Sequence, residues 1–175
     1  MTTKKDDIYF LKQCHDLALK SYRAGDHPTG SLIVLKNKII SKSENYAFRT
    51  GDPTLHAEAC VIKKALKQRG LLKNCTLYSS LEPCVMCSYL IRETGISRVV
   101  FSIKAPITGG ETGWGMLKDK RLLKLKPIFT DPPSIAHVKI KSKLQDTINS
   151  WVSHYNPKHY PLSPVRKLLL SLFGR

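Results

Sequence analysis

Between Thr76 and Ser102 a strand, a helix and a second strand follow one another, and this order limits the possible fold more than any other stretch. Thr76 to Ser80 and Arg98 to Ser102 read as strands. Between them Pro83 stands at a helix start, where its missing N–H costs nothing, and the helix runs to Thr94 with Gly95 as its stop. Strands joined by a crossover helix lie parallel, and a sheet built that way needs helices on both faces. The expected fold is therefore α/β, a three-layer α/β/α sandwich with a central mixed five-stranded sheet.

Other segments supply the remaining layers. Ile8, Leu11, Cys14, Leu17, Ala18 and Tyr22 recur at helical steps between Asp7 and Gly25. Ser31 to Leu35 and Ile39 to Ser43 read as a hairpin about Lys36-Asn37-Lys38. A polar loop from Asn45 to Leu55 leads into a helix from His56 to Gln68, with Thr54 as its candidate cap and Gly70 as its stop. Ile103 to Gly115 reads as a loop. The fifth strand is expected at Pro127 to Thr130 or at His137 to Ile140, and a last core helix at Lys141 to Ser153. Proline-containing breaks from Asn156 to Pro164, at Pro157, Pro161 and Pro164, then separate a short basic apolar helix, Val165 to Phe173. The expected organisation is one domain over 1–155 and a basic tail over 156–175.

No apolar run approaches the roughly 20 residues of a membrane span, and Met1 to Asp7 lacks a secretory signal, so a cytoplasmic protein without membrane contact is expected. Five cysteines, an odd number, suit thiols and metal ligands better than a disulfide framework. The net charge of +16 attracts polyanions, and residues 117–175 carry more than half of it, with 12 basic and 3 acidic groups. Clusters such as Lys63-Lys64-Lys67-Arg69 and Lys118-Lys120-Arg121-Lys124-Lys126 also suit plain solvated faces.

Cys84 and Cys87 lie three apart at a helix start, on one face and near the positive end of the helix dipole, which favours thiolate. His56 heads the preceding helix, and neighbouring helix starts open on one sheet edge. Three protein ligands leave a fourth zinc position for water, which separates a catalytic from a structural site, and zinc lowers the pKa of that water toward roughly 7. Glu58, two residues beyond His56, is placed to move protons rather than to bind metal. A thioredoxin-like redox pair would require neither His56 nor Glu58.

His56-Ala57-Glu58 followed by Pro83-Cys84-Val85-Met86-Cys87 resembles the signature of the cytidine and deoxycytidylate deaminase superfamily. The wider segments Asp52 to Glu58, Leu81 to Cys87 and Arg98 to Phe101 resemble the tRNA adenosine and guanine deaminases within it. The resemblance implies a cytidine-deaminase-like fold, one zinc (Zn2+) per chain held by His56, Cys84 and Cys87, and Glu58 as the catalytic group. It further implies base contacts from Asn45 and from the Ala57 main-chain N–H, close approach of the substrate to Pro28-Thr29-Gly30, and a homodimer. Two segments depart from the tRNA enzymes, Ser88-Tyr89-Leu90 and Ile107 to Gly115, and both lie where substrate choice is set.

Several readings stay open at this level. The substrate is adenosine in a tRNA loop, or a free base or nucleoside such as guanine, cytosine or adenosine; a silent zinc module that binds RNA or protein is a third reading. Cys14, Cys60 and Cys75 read as packing residues. His27 lies near the pocket mouth. Trp114 is a base-stacking residue or a core plug.

Overall fold

The computed structural model describes residues 3–154, so the helix expected at Val165 to Phe173 and the tail it belongs to lie outside the described residues. Helix α1, Lys4–Arg23, starts three residues earlier than its apolar stripe suggests, because Thr3 and Asp6 form a reciprocal capping box. Strands β1, Gly30–Leu35, and β2, Lys38–Glu44, make the expected hairpin. Its two-residue turn holds Lys36 at φ 47° and Asn37 at φ 63°, the left-handed pair that matches strand twist.

A one-turn helix α2, Ala47–Thr50, interrupts the polar loop. Helix α3, Ala57–Arg69, strand β3, Thr76–Leu81, helix α4, Val85–Thr94, and strand β4, Arg98–Ile103, follow in the expected order. The chain closes with 3-10 turns at Met116–Lys118 and Lys120–Leu125, strand β5, Ser134–His137, and helix α5, Leu144–His154.

The five strands lie in the order β2-β1-β3-β4-β5. β1 runs antiparallel to β2 and β3, while β3, β4 and β5 are parallel, so the sheet is mixed as expected. Alternation along each strand divides the core into two layers. Ile33, Leu77, Val99 and Phe101 face Val61, Ile62 and Ala65 of α3 and Ile91 of α4. Leu32, Val34, Tyr78 and Val100 face Phe10, Leu11 and Cys14 of α1. Ala18 of α1 in turn packs on Leu144 and Ile148 of α5.

Three local expectations change. The fifth strand occupies neither Pro127 to Thr130 nor His137 to Ile140 as a whole. It starts directly after Pro133, where Ser134 N–H can donate to Ser97, and it ends as Val138 N–H donates to Phe101. Thr54 does not cap α3, since its hydroxyl donates to Asp52 and the cap position is His56. Pro83 likewise precedes the cap of α4, which is Cys84.

Candidate active site

The site is built on two helix starts that cap with backbone geometry alone. His56 and Cys84 hold extended φ/ψ at the cap positions of α3 and α4, and neither spends its side chain on a capping hydrogen bond. Both side chains are thereby free to meet. His56 Nδ1 lies 3.5 Å from Cys84 Sγ and 3.6 Å from Cys87 Sγ, and all the ligand atoms fall within 4.8 Å of one another. A tetrahedral zinc with bonds of about 2.3 Å to sulfur and about 2.0 Å to nitrogen keeps such donors roughly 3.5 Å apart, so the arrangement fits the ion. Soft sulfur with imidazole is also the donor set zinc takes.

The electrostatics divide the two sulfurs. Hydrogen bonding from the Cys87 thiol, aided by His56, outweighs burial and draws Cys84 down to about 4. The same Cys84 sulfur, together with burial, pushes Cys87 well above the usual thiol range. His56 is raised by its hydrogen bond with Cys84.

Glu58 is 3% exposed, and burial raises its carboxyl above the ordinary value. Ser79, on β3, donates to Oε1 at 3.0 Å, leaving Oε2 on the cluster side, 3.8 Å from Cys87 Sγ. Asn45 and Ala57 are brought together, but onto each other. Ala57 N–H donates to Asn45 Oδ1 at 3.2 Å, and Asn45 Nδ2 donates to Asp26 Oδ1 at 2.7 Å.

Asp26, fully buried, was not legible as a site residue. It accepts from Asn45 and from the main-chain N–H groups of His27, Phe48 and Arg49, tying the loop after α1 to the segment from Asn45 to Arg49. Because a carboxylate only accepts, it fixes which way the Asn45 amide points.

A second carboxylate organises the segment after β4. Glu82, 2% exposed, accepts from the N–H groups of Ala105, Glu111 and Thr112 and from the Thr112 hydroxyl. Burial alone would raise its pKa, and these donors more than reverse that. The loop lies so close to α4 that a Cβ on Gly109 would sit 2.2 Å from Glu82 Oε1, and one on Gly110 1.8 Å from Ser88 Oγ. Tyr89 packs edge-on against Phe129, 5.2 Å between centroids. Trp114 is no core plug: it is 67% exposed and donates to the Ile107 carbonyl. His27 stands beside Trp151 of α5, whose ring also meets Phe48. Cys14 and Cys75 are buried and Cys60 half-buried, outside the cluster, as packing residues should be.

Residues 4–103 match the family described as the cytidine and deoxycytidylate deaminase zinc-binding region. The chain is 40% identical over 104 residues to the tRNA-specific adenosine deaminase of Aquifex aeolicus, covering 58% of this chain and 69% of that one. It is 43% identical over 81 residues to the guanine deaminase of Bacillus subtilis, covering 45% of this chain and 52% of that one. A solved structure from a study of A-to-I editing by tRNA deaminases at the wobble position superposes with a TM-score of 0.63 at 27% identity, covering 74% of this chain and 97% of that chain. With both motif segments inside the matched region, the chain belongs to the cytidine and deoxycytidylate deaminase family and is a zinc-dependent hydrolytic deaminase.

Proposed function

We propose that the protein deaminates adenosine to inosine in tRNA, with His56, Cys84 and Cys87 as the zinc ligands and Glu58 as the proton carrier. The observation that carries the chemistry is a buried carboxylate against a cluster of one imidazole and two sulfurs. His56, Cys84 and Cys87 would hold a zinc ion, which would supply an acidified water for attack on the ring carbon that bears the exocyclic amine. Glu58 takes one proton from the attacking water and passes it to the ring nitrogen, then takes the second from the added hydroxyl as it becomes the carbonyl and delivers it to the departing amine. Water is consumed, the carbon–nitrogen bond breaks, a carbonyl replaces the amine, and ammonia leaves. A carboxyl raised by burial is better suited to carry a proton than an exposed one, and Ser79 holds one oxygen so that the other faces the reaction.

Asn45 and the Ala57 N–H serve the base edge in this proposal, their mutual hydrogen bond opening as the base enters. Asp26 then acts as the positioning residue for Asn45. The tRNA substrate is supported by the relatives named for that reaction and by the charge of +16. The proposal includes a cytoplasmic homodimer; among the described residues no helix is long and apolar enough to cross a membrane.

One observation favours a second reading, a free base or nucleoside such as guanine: the similarity to a guanine deaminase, together with the distinct loop from Ile107 to Gly115. A panel of tRNA, nucleosides and bases, read by a mass gain of one unit per amine lost, separates the two. Turnover of tRNA alone, falling steeply with salt through counterion release, is the expected result. Turnover of free guanine or cytosine with none of tRNA overturns the tRNA assignment, and no turnover of any member overturns the enzyme reading.

A further inference from the structure

The proposed chemistry leaves a cavity of about 360 Å³ unused at the C-terminal end of β4. Its lining includes Ser102, Lys104, His137, Lys139, Ser142 and Gln145, and contains no carboxylate. Lys104, Lys139 and the neighbouring Lys141 and Lys143 enter no ion pair among the described residues. Asp146 stands in the first turn of α5 but outside the lining.

The floor is neutral and already satisfied. Ser102 donates to the Ser80 carbonyl at 2.7 Å, so its oxygen accepts from His15 Nε2 at 2.6 Å. His15 therefore carries its proton on Nε2, and bare Nδ1 accepts from the Ser142 hydroxyl at 2.8 Å. Burial lowers the pKa of this imidazole, in keeping with the neutral form. Ser142 Oγ in turn accepts the Leu144 N–H at the start of α5, whose positive end opens toward the cavity rim. A cationic rim over a neutral floor, beside a helix start and without acid in the lining, suits an oxyanion.

Helix α5 also relates the cavity to the active site. Trp151, six residues beyond Gln145, lies 6.1 Å from the His27 ring, and Asp26, the residue before His27, holds the Asn45 amide against the Ala57 N–H beside His56. Six residues of helix rise about 9 Å. A single strand leaving the active-site mouth along α5 reaches the cavity within a short run of nucleotides.

We infer that this cavity is a second binding site, which takes a backbone phosphate of an RNA substrate on Lys104 and Lys139 while the reacting base lies at Glu58. The inference rests on the RNA reading of the active site.

The test uses the zinc-loaded full chain and a 12-residue oligouridylate, which carries no exocyclic amine and cannot turn over. K104E/K139E is compared with the charge-matched K36E/K38E in the β1–β2 turn, at the opposite edge of the sheet. Losing this phosphate contact should weaken binding at least tenfold and flatten the slope of log K against log salt by about 0.7, whereas the turn variant keeps most of both. K104Q/K139Q, checked for zinc content and circular dichroism, serves if the charge reversal fails to fold. Equal losses in the pocket and turn variants, or none in either, overturn the site. Inorganic phosphate, titrated while the amide resonances of His137 and Ser142 are followed, distinguishes the source. Saturable shifts with unaltered oligouridylate binding by K104E/K139E identify free phosphate and overturn the RNA assignment. A parallel assay on tRNA judges the functional reading separately, because wild-type protein that binds oligouridylate through the pocket yet leaves tRNA unchanged fails that reading and keeps the site.

Discussion

Glu58 and Glu82 are both buried carboxylates two residues from a member of the His56, Cys84 and Cys87 cluster, yet their surroundings drive them apart. Glu58 accepts from the Ser79 hydroxyl, but burial outweighs its donors and its pKa rises. Glu82 has four donors, three of them main-chain N–H groups, and its pKa falls. A carboxylate left short of donors is available to take up a proton, whereas one surrounded by them is fixed as an anion and serves as an anchor. The two regions thus divide the labour: under the proposed function the helix starts carry the chemistry, while Glu82 anchors the loop from Ala105 to Thr112.

Four experiments test that division. Glu58→Gln keeps the shape but removes the proton carrier, so ammonia release should fall by about 10²–10⁴ with zinc content unchanged by mass spectrometry. Loss of zinc in this variant would show that the carboxylate acts as a ligand and would erase the contrast. Gly109→Ala drives a Cβ against both Glu82 and the Ala105 carbonyl, which should cost about 2–3 kcal/mol in chemical denaturation and raise KM more than it lowers kcat. An equal fall in zinc content would mean that the loop and the metal site are one unit.

Glu82→Gln retains one acceptor oxygen but sets an amide donor among N–H groups, with an expected loss of about 2 kcal/mol and faster hydrogen exchange at Glu111 and Thr112. The smallest effect concerns Glu44, buried between Lys20 at 2.8 Å and Arg49 at 2.6 Å. Burial raises its pKa, but the two cations outweigh burial and lower it. Its contribution to stability is therefore full above the unfolded carboxylate value of about 4.3 and drains away as pH falls through the lower folded value. Glu44→Gln should lose about 1 kcal/mol at pH 7 and converge on wild type in acid; a constant difference across the acid titration would show that packing, not charge, is what Glu44 supplies.

The sequence revealed what depends on neighbours in the chain. The crossover from Thr76 to Ser102 set parallel strands, and parallel strands set where two helices begin, so His56, Cys84 and Cys87 could be paired across 28 residues. The matched family segment ends at residue 103, and legibility falls there too. β5 is four residues long, and Ser-Ile-Ala-His has no strong alternation, so its place comes from pairing with β4. Asp26 was missed because, apart from the adjacent His27, its donors lie 19 to 23 positions later, and no local pattern announces such a meeting. Glu82 was read as part of a motif, although its work is done on residues 23 to 30 positions later.

Ser79 and Ser80 stand side by side on β3 and point to opposite faces, one to Glu58 and the other, through the Gly30 N–H, toward α1. If β3 slipped by one position during folding, Ser80 would present the same hydroxyl to Glu58, so that hydroxyl does not register the error. Tyr78 does. Its hydroxyl donates to Asp7 at 2.8 Å, which also takes both terminal nitrogens of the Arg98 guanidinium, and a slip would turn the ring into the α3 side and remove that donor. The strand register is thus checked in part by a residue with no part in the reaction, and Tyr78→Phe should lower stability in chemical denaturation before it affects turnover.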